Sequence, residues 1–99
     1  MTQEATPTIF IDNPRTRVTE WRLAPGTATG WHRHEYDYVV VPQTTGTLRL
    51  VGPGGEETMA ELTAGQPYFR EIGVEHDVIN ANDFEFVFIE VEFKDSAEG

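Results

Sequence analysis

The segment GWHRHEYDYVVV, from Gly30 to Val41, joins two of the chain's three histidines to the start of an apolar strand. His32 and His34 are one residue apart, and a strand points side chains at i and i+2 to the same face. Two imidazoles on one face can hold a single metal ion if another part of the fold supplies a third ligand. Alone the pair is a weak signal, because exposed or core histidines are more common than ligands. The rest of the chain must supply the ligand and the scaffold.

Turn-forming residues recur at short intervals and predict an all-β fold. Between them lie short runs rich in Val, Ile, Thr and aromatic residues, and no window keeps a helical period over three turns. Many short strands at this spacing indicate a sandwich or a barrel. The turn signals lie at positions 12–14, 24–26, 44–46, 52–55, 63–67, 71–73 and 80–83.

The segment FEFVFIEVEF, residues 84–93, is apolar on both of its alternating faces. Such a strand must be covered twice, once by its own core and once by a second sheet or a partner subunit. The second option makes a homodimer an expected state. Glu90 and Glu92 continue one face and could reach the interior, but we interpret them as solvated residues at a strand end. One face carries Val87, Ile89, Val91 and Phe93, and the other carries Phe84, Phe86 and Phe88.

Composition limits the classes of partner. The 99 residues predict one domain, with a barrel over 8–94 and flexible ends at 1–7 and 95–99. The formal net charge of −10 repels phosphate backbones and anionic membranes, so neither nucleic acid nor a membrane is expected as a partner. The chain has no cysteine, so a bound metal must use nitrogen and oxygen ligands. No segment has the apolar length of a signal peptide or a membrane span, which predicts a cytoplasmic protein.

The third histidine, His76, follows a glycine turn in GVEHDVIN and leads into another predicted strand. Together the histidines lie in two segments that resemble the motifs of the cupin superfamily. In the first, Gly26 is followed by five residues, then by His-x-His, and later by a closing glycine at Gly46.

The second segment resembles the second cupin motif, with one departure. Gly65 is followed by five residues, and then Glu71 stands where the motif has proline. Gly73, His76 and Asn80 complete the match. The resemblance spans positions 26 to 80 and implies a small single-domain cupin, a double-stranded β-helix or jelly-roll barrel.

By this resemblance His32, His34 and His76 bind one divalent metal ion inside the barrel, with Fe, Ni, Zn and Cu as alternatives. The glutamate ligand of the motif falls at position 38 or 39, where this chain has Tyr38 and a valine. We therefore expect a tris-histidine site without a direct carboxylate ligand. Asp37 is one residue short and would need a local turn to bind. The histidines are also compatible with a degenerate barrel that has lost its metal.

Other polar residues near the motifs suggest how a ligand would be held. Tyr38 is the candidate catalytic residue, and Tyr36, Tyr68 and Arg70 are candidate substrate-binding residues. The tyrosines could instead simply pack, and Arg70 could pair with a surface glutamate. Three neutral imidazoles leave a divalent charge uncompensated, which favours a small anionic ligand.

The chain is closer to a group of short cupins that includes one associated with β-alanine catabolism. This resemblance implies a metal-binding cupin that binds a small carboxylate-bearing metabolite, with an enzyme of small-molecule catabolism as the first hypothesis. As an enzyme it would be a dioxygenase, a lyase or an isomerase. The alternative is a non-catalytic ligand-binding or sensor cupin, with or without metal, because the cupin fold serves enzymes and binding proteins alike.

Overall fold

Nine β-strands in two antiparallel sheets make up the computed structural model, which describes residues 4–94. The all-β prediction is confirmed, since the one helical element in this range is a 3-10 turn at Pro53–Gly55. Each predicted turn region lies between consecutive strands or at a strand end. The strands are β1 Thr6–Asp12, β2 Thr16–Leu23, β3 His32–Arg33, β4 Asp37–Pro42, β5 Gly46–Val51, β6 Glu57–Leu62, β7 Tyr68–Arg70, β8 Glu75–Asn80 and β9 Phe86–Phe93.

The five-stranded sheet has the order β1-β2-β9-β4-β7, and the four-stranded sheet has the order β3-β8-β5-β6. Their inner faces share one core, in which Phe86 and Phe88 of the first sheet join Leu48 and Val78 of the second. Alternation of buried and more exposed residues along each strand selects these side chains. No helix among the described residues is long and apolar enough to cross a membrane.

Glu90 and Glu92 belong to this interior, with 8% and 5% of their surface exposed. Our interpretation of them as solvated residues is therefore wrong. The reason is the position of β9, which pairs with β2 along its whole length and with β4 from Phe88 to Phe93. The face that buries Phe86 and Phe88 consequently continues inside as far as Glu92.

Part of the segment predicted to be loosely held, residues 1–7, makes backbone hydrogen bonds in the structure. Ala5 donates its N–H to the carbonyl of Ala28 at 2.9 Å, and β1 already begins at Thr6. Pairing with β2 thus orders most of the described N-terminal residues. Residues 1–3, and the tail predicted to be flexible at 95–99, lie outside the described residues.

Candidate metal centre

The three histidines meet where β3 pairs with β8. His32 and His76 are direct partners across this antiparallel pair. His34 lies just past the end of β3, but its N–H donates to the carbonyl of Val74 at 2.9 Å, so it stays beside β8. The Nε2 atoms of His32 and His34 are 3.0 Å apart, and those of His34 and His76 are 3.2 Å apart. One point inside the barrel is thus surrounded by three imidazole nitrogens.

These separations fit the ligands of one ion. Metal–nitrogen bonds of about 2.0–2.1 Å place neighbouring ligands about 2.8–3.4 Å apart in octahedral or tetrahedral geometry. The potential ligand atoms of His32, His34 and His76 all lie within 4.8 Å of one another. The donor set therefore fits a single divalent metal that accepts imidazole.

A backbone carbonyl fixes the orientation of His32. Its Nδ1 is 2.8 Å from the carbonyl oxygen of Gly30 and 3.4 Å from Thr29 Oγ1. Because a carbonyl oxygen only accepts, Nδ1 donates and Nε2 is left with its lone pair toward the other histidines. Gly30 has φ = 90°, a conformation that glycine adopts without strain. The turn that precedes the first histidine therefore prepares it as a ligand.

Burial keeps the other two imidazoles neutral. Desolvation, reinforced by the neighbouring histidines, lowers the pKa of His34 to about 3 and that of His76 to about 4. Arg70 contributes to both shifts. Neutral imidazole is the form that binds a metal, so both side chains are ready to act as ligands at neutral pH.

Tyr38 adds a polar group to the same cavity. Its ring stacks on that of His34, with centroids 3.9 Å apart and an interplanar angle of 16°. The side chain is 2% exposed, and its hydroxyl has no hydrogen-bond partner among the described residues. Burial raises the pKa of Tyr38 above its usual value, so the phenol keeps its proton. An O–H donor is therefore available to a bound molecule.

The strand β7 brings Tyr68 and Arg70 to this cavity by pairing with β4. Tyr38 lies opposite Arg70, and Val40 lies opposite Tyr68. Burial raises the pKa of Tyr68. Within residues 4–94, the side chain of Arg70 makes no ion pair or hydrogen bond. Arg70 thus lines the cavity, and no carboxylate among the described residues forms an ion pair with it.

The structure does not bring Tyr36 to the cavity. The chain leaves β3 after Arg33 and enters β4 only at Asp37, so the alternation that would align Tyr36 with His34 is interrupted. The guanidinium carbon of Arg17 lies over the Tyr36 ring, 5.9 Å from the ring centroid. Asp37 accepts a hydrogen bond from the N–H of Ile72 at 2.8 Å and is absent from the described groups of potential ligands.

Sequence reasoning missed two acidic residues next to the histidines. Glu90 Oε2 is 3.8 Å from His34 Nε2, and Glu92 Oε1 accepts from Arg17 Nε at 2.7 Å. Desolvation, with the negative charge of Glu92 second, raises the pKa of Glu90 to about 7. The signal was present in the sequence, because both glutamates have the same parity as Phe86 and Phe88.

Two clefts border the histidines. One, of about 320 Å³, is bordered by His32, His34 and Glu90. The other, of about 300 Å³, is bordered by His76 and Arg70. The cavity that all three histidines line holds about 30 Å³, so a molecule larger than one or two heavy atoms would approach them from these clefts.

Comparisons with known proteins agree with this architecture. The family described as "Cupin domain" matches residues 19–92. A Pseudomonas aeruginosa protein named beta-alanine degradation protein BauB is 58% identical over 91 residues, which cover 92% of this chain and 95% of that protein.

Solved structures give the same result. A cupin domain from Bordetella pertussis is 56% identical with a TM-score of 0.91, covering 95% of this chain and 97% of that one. The polyketide cyclase RemF from Streptomyces resistomycificus is 24% identical with a TM-score of 0.72, covering 93% of this chain and 66% of that one. At that identity the likeness concerns the fold alone.

Proposed function

The chain belongs to the cupin family, and on that premise we propose that it binds one divalent metal ion and a small anionic metabolite inside its barrel. The observation that carries the proposal is the convergence of three Nε2 atoms. That of His34 is 3.0 Å from that of His32 and 3.2 Å from that of His76. Fe, Ni, Zn and Cu are the ions that such imidazole ligands suit. When bound, the ion would act as a Lewis acid or, if it is iron, support oxygen chemistry.

The residues around the histidines support an anionic ligand. Arg70 has no carboxylate partner among the described residues, so its guanidinium can take a carboxylate in bidentate fashion. The Tyr38 hydroxyl would donate to the same molecule, and Tyr68 would border it. The apolar side chains of Val40 and Leu48 limit the water in the cavity, which strengthens these polar contacts.

The relative named for β-alanine degradation supports a role in the catabolism of β-alanine or a similar small carboxylate. Such a compound carries the carboxylate that Arg70 would bind. In this role Tyr38 would hold or donate a proton at the bound molecule, as the candidate catalytic residue.

A second candidate function is non-catalytic binding of the same metabolite, as in a sensor or accessory protein. One observation favours it: the pKa of Tyr38 is raised by burial, so the phenol is a hydrogen-bond donor that does not readily release its proton. Turnover with Fe(II) but not with redox-inert Zn(II) would favour the oxygenase. Binding without turnover with either metal would favour the sensor.

We also propose a homodimer formed through the outer face of the five-stranded sheet. Register aligns one apolar residue from every strand of this sheet in a single row. Phe69 and Ile11, at the two edges, are 54% and 48% exposed. A partner that covers this row would shield it from water. The row consists of Ile11, Val18, Val91, Val39 and Phe69. The cytoplasmic location remains a prediction.

Elemental analysis of untagged protein purified without chelators tests the metal proposal. We expect about one equivalent of metal in the wild type and a strong loss in His76→Ala. Circular dichroism of both proteins establishes that the variant is folded. A wild type that neither contains metal nor takes up Fe(II), Ni(II) or Zn(II) would show that the proposal is wrong.

A further inference from the structure

Among the described residues, Glu90 on β9 is the carboxylate found within 4.0 Å of an inward-facing histidine nitrogen. It points into the barrel with 8% of its surface exposed, and its Oε2 is 3.8 Å from His34 Nε2. Two ligands of one ion with bonds of about 2.0–2.2 Å are separated by at most about 4.4 Å. The separation of Glu90 and His34 is therefore compatible with a shared ion.

Glu92 has an arginine beside it, whereas Glu90 has no arginine or lysine within 4.0 Å among residues 4–94. Arg17 donates a hydrogen bond from Nε to Glu92 Oε1 at 2.7 Å, and its positive charge balances that carboxylate. Within residues 4–94, His34 is the basic residue within 4.0 Å of Glu90, and a hydrogen bond from Trp21 and the charge of Arg17 offset the burial of this carboxylate only in part. A buried carboxylate without a cation is strongly unfavourable. A divalent ion held by the histidines would supply the missing charge.

A second observation, independent of the acidic residues, indicates that this cavity is built for a bound group. The Tyr38 hydroxyl is buried in the same cavity and has no partner among the described residues. Buried hydroxyl groups in native proteins are normally hydrogen-bonded, so an unpartnered one marks the place of a bound water, ion or small molecule. Tyr38 stacks directly on His34, the histidine that Glu90 approaches.

The potential ligands form two groups that overlap at His34: the three histidines, and His34 with Glu90 and Glu92. The Nε2 atom of His34 can serve one ion only, and Glu92 is held by Arg17. We propose that Glu90 binds the metal ion held by the three histidines, approaching it from the side of His34. Glu90 would then supply the carboxylate ligand that the first motif lacks. As placed, Glu90 is within ligand range of His34 but not of all three histidines, so the proposal requires its carboxylate to turn toward them about its side-chain torsions. The inference rests on the proposed metal site.

The consequence is a centre of three histidines and one glutamate whose acidic ligand comes from the last strand. Tyr38 then occupies the position that the motif gives to glutamate, and Glu90, on the neighbouring strand β9, takes over its charge. A ligand of this kind lowers the net charge of the centre from +2 to +1. Metal should bind more tightly with Glu90 present, and an added anion should bind more weakly.

Chelator competition with Zn(II) and Co(II) tests this on wild type, Glu90→Gln and Glu92→Gln. Glu92 is a matched control because it lies on the same face of β9 and is equally buried. We expect metal affinity to fall at least 10-fold in Glu90→Gln and less than 3-fold in Glu92→Gln. The visible spectrum of Co(II) should change in the first variant only, and azide should bind more tightly to its Co(II) form. Glu90→Asp, which retains the charge, should recover part of the affinity.

Two results would overturn the inference while leaving the metal site intact. One is a Glu90→Gln variant with wild-type affinity and an unchanged Co(II) spectrum. The other is an equal loss in both glutamine variants, which would reflect general charge. A wild type without any metal affinity would instead refute the proposed function itself. Thermal unfolding of the metal-free variants shows whether each one is folded. If Glu90→Gln is unfolded, the comparison is made with Glu90→Asp.

Discussion

His34 and His76, 42 residues apart in the sequence, bring their Nε2 atoms to 3.2 Å. The pairing of β3 with β8 produces this contact, because it sets the two motif segments side by side. The chain between them forms other strands of both sheets, so the contact depends on the whole barrel. The centre therefore exists only in the folded protein, and metal binding should stabilise the fold.

Replacing Gly30 should disturb the first ligand through the backbone alone. A Cβ at this position meets no atom within 4 Å, but φ = 90° is strained for alanine. We expect Gly30→Ala to lose about 1–2 kcal/mol of unfolding free energy and to bind metal more weakly. Gly52→Ala, at φ = −101°, is the control and should change neither. Urea unfolding and chelator competition measure the two effects. Wild-type metal affinity in Gly30→Ala would argue against the role of this turn.

Removing the hydroxyl of Tyr38 should weaken ligand binding without lowering the unfolding free energy. The hydroxyl is buried without a partner, so Tyr38→Phe should leave the unfolding free energy within about 1 kcal/mol of wild type or raise it. Binding of β-alanine or a similar carboxylate to the metal-loaded protein should weaken about 5- to 20-fold, corresponding to one lost hydrogen bond. Calorimetry of the loaded protein measures it. Unchanged ligand affinity would mean that the hydroxyl does not contact the ligand.

Arg70 should control anion affinity without controlling metal content. Arg70→Gln removes the unpaired guanidinium and should weaken carboxylate binding at least 10-fold, because a charge-assisted bidentate contact is lost. Arg49→Gln, whose guanidinium pairs with Glu57 outside the cavity, is the matched control. Calorimetry with β-alanine, beside elemental analysis, gives both quantities. Equal losses in the two variants would indicate a nonspecific charge effect.

The metal-free protein should lose stability on acidification. His34 and His76 have pKa values of about 3 and about 4 when folded, below the ordinary 6.5, so the unfolded chain binds more protons. Their contribution is present above pH 6.5 and is lost as the pH falls toward 4.

Glu90 acts in the opposite direction during the same titration. Its folded pKa of about 7 lies above the ordinary 4.5, so its contribution is present below pH 4.5 and is lost as the pH rises through 7. The two histidines outweigh it, and we expect a net loss of about 2 kcal/mol between pH 6.5 and pH 5. Urea unfolding after chelation measures the loss, which His76→Gln should reduce. An unfolding free energy that increases from pH 6.5 to pH 5 would contradict the low pKa values of His34 and His76.

Polar residues on the outer sheet face should dissociate the proposed dimer. The double variant Ile11→Gln and Phe69→Gln removes the two most exposed side chains of the apolar row. Light scattering after size exclusion should report a monomer for it and a dimer for the wild type. Met59→Gln, equally exposed on the other sheet, should remain a dimer. A monomeric wild type would refute the dimer.

Local patterns in the sequence determined most of the architecture. The period of two along each strand and the turn residues between strands predicted the all-β fold, because both act over a few neighbouring residues. The motif spacing marked His32, His34 and His76, which the structure brings together. Tyr38, Tyr68 and Arg70 also reach the cavity that the sequence suggested.

The tertiary structure decided the features that depend on which strands are neighbours. Tyr36 is outside the cavity because the chain leaves β3 before β4 begins, a break that the alternation of residues does not reveal. Glu90 is inside because β9 is paired on both sides, which removes its end from water. Strand order results from contacts between distant segments, and the free energy of burying a charge depends on that order. The histidines could therefore be read from the sequence, whereas the carboxylate beside them required the fold.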